Sequence, residues 1–231
     1  MLASKVPHYA NEGLKGKALR QRVMEAIGES LRDLQTEIID LLYIHSVPAE
    51  VLERGEITAI LQEAKEAGHI RFMGATTYGE AAALAALADE RFDCIQIAYN
   101  VLDRSLEEPV MSLALQKGVG VVIRSVLLKG ALTYRYRHLP DELAPLKAAV
   151  ARLEAIAESE DISLPELAYR FVLAHPAVSS ALVGTGRLHE LEMGIAYAEA
   201  GPLTDDVLAR IRQVTLTDLR LANPGNWPIK E

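Results

Sequence analysis

The chain has 231 residues, 50% of them hydrophobic and 24% charged, a globular balance that excludes wholesale disorder. Its 24 Lys and Arg against 32 Asp and Glu give a net charge of −8 with no basic run, which excludes the usual electrostatic footprint of a nucleic-acid binder. The single cysteine, Cys94, rules out an intrachain disulfide framework and a cysteine-based zinc site. No apolar run approaches the ~18 residues of a membrane span, and residues 1–10 carry none of the regions of a secretory leader. The sequence therefore predicts a cytoplasmic protein without membrane or nucleic-acid partners. No linker-like stretch breaks it, so a single domain over 1–231 is expected.

In chain order, a first strand is predicted at 2–6. A helix follows at 17–34, with Leu19, Val23, Ile27, Leu31 and Leu34 on one face. Next come a strand at 41–45, a helix at 57–67, a strand at 71–76 and an alanine-rich helix at 80–89. A strand at 93–99, a helix at 107–117 and a strand at 120–126 continue the alternation. Helices at 143–159 and 164–174, a strand at 179–184, and helices at 188–200 and 205–214 complete it. The strands are apolar nearly throughout, as in Ile38-Ile39-Asp40-Leu41-Leu42-Tyr43-Ile44, which fits parallel strands buried on both faces.

Alternation of strand and helix argues for an α/β fold with a parallel sheet. An open doubly wound sheet should carry a G-x-G-x-x-G turn after its first strand, and none occurs. Polar residues instead end many of the strands: Lys5, His45, Thr76, Thr77, Gln96, Asn100, Arg124, Ser125 and Thr185. A (β/α)8 TIM-type barrel gathers such ends on one face, where its chemistry sits. Such a barrel has eight strands in about 250 residues. Six parallel strands with no helix before the first predict a barrel incomplete at its N-terminus.

Six segments, in order, resemble the aldo-keto reductase family. Ser4-Lys5-Val6 is similar to the end of that family's third strand. Ile39-Asp40-Leu41-Leu42-Tyr43-Ile44-His45 resembles its fourth strand, which ends in the active-site histidine. The segment from Gly68 through Ile70, Arg71 and Gly74 to Thr76-Thr77 is similar to its G-x-I-R-x-x-G-x-S-N run. Gln96-Ile97-Ala98-Tyr99-Asn100 resembles its Q-x-x-Y-N strand. Arg124-Ser125-Val126-Leu127-Leu128-Lys129-Gly130 is similar to a bacterial form of the segment after the seventh strand. His175-Pro176 with Leu182-Val183-Gly184-Thr185-Gly186 resembles the last strand and its cofactor loop.

The resemblance implies NAD- or NADP-dependent hydride transfer to a small carbonyl compound, or from the matching alcohol or sugar. It implies catalytic roles for Lys5 and His45. Lys5 would lower the pKa of a neighbouring phenol, and His45 would donate to or orient the substrate oxygen. It implies cofactor contacts at Thr76, Thr77 and Gln96 (nicotinamide carboxamide), at Arg124 (nicotinamide stacking or phosphate) and at Ser125 and Leu127 (pyrophosphate). Gly184, Thr185, Gly186 and Arg187 would meet the phosphates of the adenosine end. No metal ligands are implied. The family's Glu-Asn adenine pair is Met193-Gly194 here. Glu190, where NADP-preferring members often carry Arg, tilts the expectation toward NAD, because a carboxylate repels a 2′-phosphate.

The family's catalytic tetrad is Asp, Tyr, Lys and His, and residues 1–231 match only the Lys and the His. The alternative expectation is therefore a truncated, catalytically inactive member or pseudoenzyme without the Asp and Tyr. Tyr43 and Tyr9 are the nearby phenols. Tyr43 reads as core, and Tyr9 as part of a polar loop. The loop 133–138, rich in Tyr and Arg, is a candidate lining for a sugar-like substrate.

Overall fold

The computed structural model describes residues 1–227. It is an α/β fold with six parallel strands and alternating helices, the pattern of a partial (β/α)8 barrel. The strands are β1 (Ala3–Pro7), β2 (Ile39–His45), β3 (Ile70–Thr76), β4 (Cys94–Ala98), β5 (Gly120–Arg124) and β6 (Val178–Ala181), and the sheet order follows the sequence. The chain divides into two compact units, Met1–Ile97 with Leu106–Val122, and Ala98–Ser105 with the chain from Ile123 onward.

The first unit intersperses its strands with α1 (Gly16–Asp33), α2 (Ala49–Arg54), α3 (Glu56–Glu66), α4 (Gly79–Ala88) and α5 (Ser112–Lys117). Helix α1 buries Leu19, Val23, Ala26 and Ile27, the three-and-four spacing of one helical face. Strand β2 is buried from Leu41 to Ile44, while in β1 only Val6 is buried. The N-terminal ends of the strands are tied by carboxylates. Asp40 pairs with Arg71 at 2.8 Å and accepts the Leu2 N–H. Asp93 pairs with Lys65 at 2.9 Å and accepts the Met73 N–H at 2.8 Å. Both serve strand alignment at the end away from the predicted chemistry.

The second unit holds α6 (Ala144–Ser159), α7 (Leu164–Leu173), β6, α8 (Leu188–Glu199) and α9 (Asp205–Arg212). Helix α7 starts on a Ser-x-x-Glu box, in which the Ser163 hydroxyl accepts the Glu166 N–H at 3.2 Å. Thr204 caps α9 through the Val207 N–H. Tyr99 stacks on Phe171 at 5.9 Å, with the Arg212 guanidinium 5.7 Å over the same Phe171 ring. No helix among the described residues is long and apolar enough to cross a membrane.

The predicted elements recur with physical amendments, among them the following three. The strand expected at 120–126 stops at Arg124, because Ser125 adopts a left-handed backbone (φ 66°). The helix expected at 107–117 opens as a π-turn over Glu107–Met111, where Pro109 has no N–H for the α-helical ladder. The short helix α2, between Pro48 and Gly55, was not expected.

Candidate functional site

In the first unit, strand register sets the geometry. Lys5 aligns with Tyr43, Tyr43 with Gly74, and Gly74 with Cys94. Two residues further along, Pro7 aligns with His45 and Thr76 with Gln96. Aligned residues of parallel strands share a face, and so do residues two apart along one strand. Lys5, Tyr43, His45, Gly74, Thr76, Cys94 and Gln96 therefore occupy one face of the sheet. Lys5 and His45 sit on adjacent strands one diagonal step apart, about 8 Å between Cα atoms from strand spacing and rise. Both are exposed.

Below them lies a packed floor. The Tyr43 ring covers Gly74 so closely that a Cβ at Gly74 would lie 2.5 Å from Tyr43 Cδ1. The Tyr43 hydroxyl and the Cys94 thiol share a hydrogen bond at 3.5 Å, and the Gln96 side chain also bonds the phenol. Burial, then the Cys94 contact, pushes the Tyr43 phenol far above its ordinary pKa. Burial likewise raises the Cys94 thiol, which leaves it inert.

At the strand ends, the Ser46 N–H donates to Thr76 Oγ1 at 2.6 Å, and the Val47 N–H donates to Thr76 O at 3.0 Å. Thr76 thereby holds the turn that follows His45, in which Ser46 is left-handed (φ 49°). The Thr77 N–H donates to Gln96 O at 3.1 Å. Thr76, Thr77 and Gln96 are all buried. Tyr9 is buried against α1 with the Arg22 guanidinium 5.2 Å over its ring, not in an open polar loop. Burial raises its phenol too.

The second unit contains a cleft of about 710 Å³. Of the predicted residues there, Ser125, Leu127, Gly184, Thr185 and Arg187 line it, whereas Arg124 and Gly186 are outside its lining. Arg124 ends β5, with its guanidinium 3.4 Å from the Ser125 hydroxyl. Asn100 caps its own loop, accepting the Leu102 and Asp103 N–H groups at 2.9 and 3.0 Å. Around the cleft, Leu128, Lys129 and Gly130 are successively left-handed (φ 47°, 52° and 89°). Two of these are not glycine, and each such residue costs roughly 1–2 kcal/mol.

Lys129, Arg135 and Arg187 bring three cations to this lining against one carboxylate, Glu190. That donor set fits a diphosphate. Arg187 pairs with Glu190 at 3.4 Å, and the Thr185 hydroxyl donates to the same carboxylate while accepting the Arg187 N–H at 3.0 Å. The Thr185 bond, aided by Arg187, His189 and Arg135, holds the Glu190 carboxyl below its usual range. The loop 133–138 divides. Thr133, Tyr134 and Arg135 face the cleft, whereas Tyr136 and Arg137 turn to Glu154 at 2.6 and 2.9 Å.

The aldo/keto reductase family's sequence pattern matches residues 1–215. The chain belongs to the aldo/keto reductase family. Among its relatives in that family, it is 25% identical over 237 residues to YqkF, an uncharacterized oxidoreductase of Bacillus subtilis (strain 168), covering 96% of this chain and 76% of that one. It is 31% identical over 211 residues to the L-galactose dehydrogenase of Arabidopsis thaliana, covering 85% of this chain and 63% of that one. The holo form of aldo-keto reductase AKR11C1 from Bacillus halodurans superposes with a TM-score of 0.78 at 28% identity, covering 93% of this chain and 71% of that one. The chain thus spans less than two thirds of the plant dehydrogenase and about three quarters of the two Bacillus proteins.

Two cleft residues of this aldo/keto reductase chain, Tyr169 and Tyr197, were not among the expected ones. Their sequence signal was present as i,i+4 pairs, Pro165 with Tyr169 and Met193 with Tyr197, each on one helix face. Among the described residues, no group of three or more His, Cys, Asp or Glu is arranged for a metal ion.

Proposed function

We propose that this chain binds NAD or NADP and serves the reduction of small aldehydes or ketones, or the oxidation of the corresponding alcohols or sugars. In this reading residues 1–231 act as one domain, in the cytoplasm. One observation carries it: the common sheet face of Lys5, His45, Thr76 and Gln96. The three cations of the second-unit cleft support it as a diphosphate grip.

A bound nicotinamide would supply hydride to the carbonyl carbon, or take it back from the alcohol. The residues of this chain do the rest. The Lys5 ammonium favours negative charge forming on the substrate oxygen, and His45 orients that oxygen through a ring N–H. Thr76, Thr77 and Gln96 serve the nicotinamide carboxamide. Ser125, Leu127, Gly184, Thr185, Gly186 and Arg187, with Arg124, serve the phosphates. Tyr43 is not the proton donor, because its buried, raised phenol is committed to Cys94 and Gln96. Tyr9 is held under Arg22.

The test is calorimetric titration of the 231-residue chain with NADH and NADPH, followed by turnover with a panel of aldehydes and sugars. Saturable binding is expected. Turnover is expected to fall about 10²–10⁴-fold short of a tetrad-complete family member, the usual contribution of a positioned general acid. Lys5→Met should lower what turnover remains without changing cofactor affinity. Absence of binding overturns the proposal, and turnover at full family rates overturns the assignment of the missing acid.

Cofactor preference follows from Glu190. Its carboxylate pairs with Arg187 and stays ionised, so a 2′-phosphate meets a neutralised cation and a negative charge. NADH is expected to bind more tightly than NADPH. Glu190→Gln should improve NADPH binding about fivefold, the upper range for an exposed charge pair, and leave NADH nearly unchanged. Equal improvement for both dinucleotides would show that the 2′ position is not what Glu190 meets.

A further inference from the structure

Beneath Gln96, the floor of the first-unit face holds a chain of hydrogen bonds with a readable direction. Tyr43 and Cys94 are both aligned with Gly74, one on each strand that flanks it, and Gln96 is two residues beyond Cys94 on β4. Tyr43, Cys94 and Gln96 are all buried. The Cys94 thiol donates to Ile95 O at 3.6 Å, and its sulfur is 3.5 Å from the Tyr43 hydroxyl. The Gln96 side chain bonds the same phenol.

The hydrogens present give this chain its direction. A thiol carries one hydrogen, and that of Cys94 goes to Ile95 O. Burial keeps the thiol protonated. The sulfur therefore meets Tyr43 as an acceptor, and the phenol gives its own single hydrogen there. Toward Gln96 the phenol has lone pairs to offer, so the amide answers with an N–H. The Gln96 contact accordingly favours the ionised phenol, as a donated hydrogen bond does. The reversed amide would leave the phenol facing two acceptors with one hydrogen. An amide carries its oxygen and its nitrogen on opposite sides of one carbon. Holding the nitrogen on Tyr43 turns the oxygen away from it.

We infer that Tyr43 and Cys94 are positioning residues that hold the Gln96 amide in one of its two orientations, so that it offers a ligand an acceptor and no donor. The inference rests on the dinucleotide reading above and deepens it. An acceptor at Gln96 takes up the N–H of the cofactor's carboxamide. A pyridine ring with an acetyl group in that place sets a methyl against the oxygen and leaves the oxygen unmatched.

Calorimetry on the 231-residue chain tests this without turnover, using NADH and its reduced 3-acetylpyridine analogue. The unaltered chain should bind NADH about tenfold more tightly, the effect of one hydrogen bond lost at a buried acceptor. Tyr43→Phe keeps the ring over Gly74 and removes only the hydroxyl. The Gln96 amide can then reverse and give an N–H to the acetyl oxygen, so the preference should fall below about threefold. Cys94→Ala reaches the same end from a second residue. Without the sulfur, the phenol's hydrogen turns to the Gln96 oxygen and reverses the amide, and the preference should again fall below about threefold. A floor that merely loosened would weaken both dinucleotides together and leave their ratio where it was. An unchanged ratio in either variant therefore overturns the inference and leaves the dinucleotide reading intact. So does equal binding of the two by the unaltered chain. Absence of binding by both overturns inference and reading alike.

Discussion

Gly74→Ala is expected to cost the first unit about 3 kcal/mol, the upper range for a buried methyl forced into a filled space. The new Cβ would lie 2.5 and 2.7 Å from two ring carbons of Tyr43 and 3.1 Å from Cys94 O. None of these can yield cheaply. The ring is buried and tied through its hydroxyl to Cys94, and the carbonyl belongs to the neighbouring strand. The checking measurement is the urea midpoint of the variant alone and in a Tyr43→Leu background, where the ring atoms are gone. The cost of the alanine should fall by at least half in that background, a coupling expected of touching residues. An unchanged cost would assign the clash to the Cys94 carbonyl instead. Because Tyr43 is aligned with Lys5, a variant that stays folded should also show altered Lys5-dependent turnover.

Arg104→Ala should destabilise the second unit by a similar amount, about 3 kcal/mol. The guanidinium donates to Val101 O at 3.1 Å, Ile211 O at 3.3 Å, Arg212 O at 3.2 Å and Val214 O at 3.1 Å. Ile211 and Arg212 are in the last turn of α9, where helix carbonyls have no partners within the helix, and Val214 lies two residues beyond it. Removing the side chain takes a donor from all four at once, and of them Ile211 O keeps the Val214 N–H at 2.9 Å. Arg104→Lys is expected to recover less than half of the loss, since a single ammonium cannot spread over four acceptors as the planar fork does. Thermal denaturation with amide exchange across α9 checks both variants. A loss below about 1 kcal/mol would mean that water replaces the guanidinium at these carbonyls.

Periodicity made the elements legible because each strand and helix writes its own burial pattern. Their ends were set by groups that periodicity does not weigh. The strand expected at 93–99 ends at Ala98, and two residues on the Asn100 side chain takes up the Leu102 and Asp103 N–H groups. The strand expected at 179–184 contracts to Val178–Ala181. Helix α2 is too short to show a repeat, although Pro48 before it and Gly55 after it are start and stop signals. Among the site residues, Lys5 and His45 could be named from the motif. Their shared face depends on the lateral register of β1 on β2, which no single strand contains. The meeting of Tyr169 and Tyr197 in the cleft was less legible still. Tyr169 and Tyr197 are 28 positions apart on different helices, and each alone reads as ordinary core.

The side chain of Thr76 has one oxygen and two claims on it. One lone pair already receives the amide hydrogen of Ser46, so the loop behind the histidine is moored to the next strand and not to itself. The proton of the hydroxyl is what remains to offer outward, which makes an oxygen acceptor its natural guest. A guest pulling on that proton leaves more density on the oxygen and tightens the mooring. Occupancy at β3 is thereby registered at the tip of β2, across a single atom.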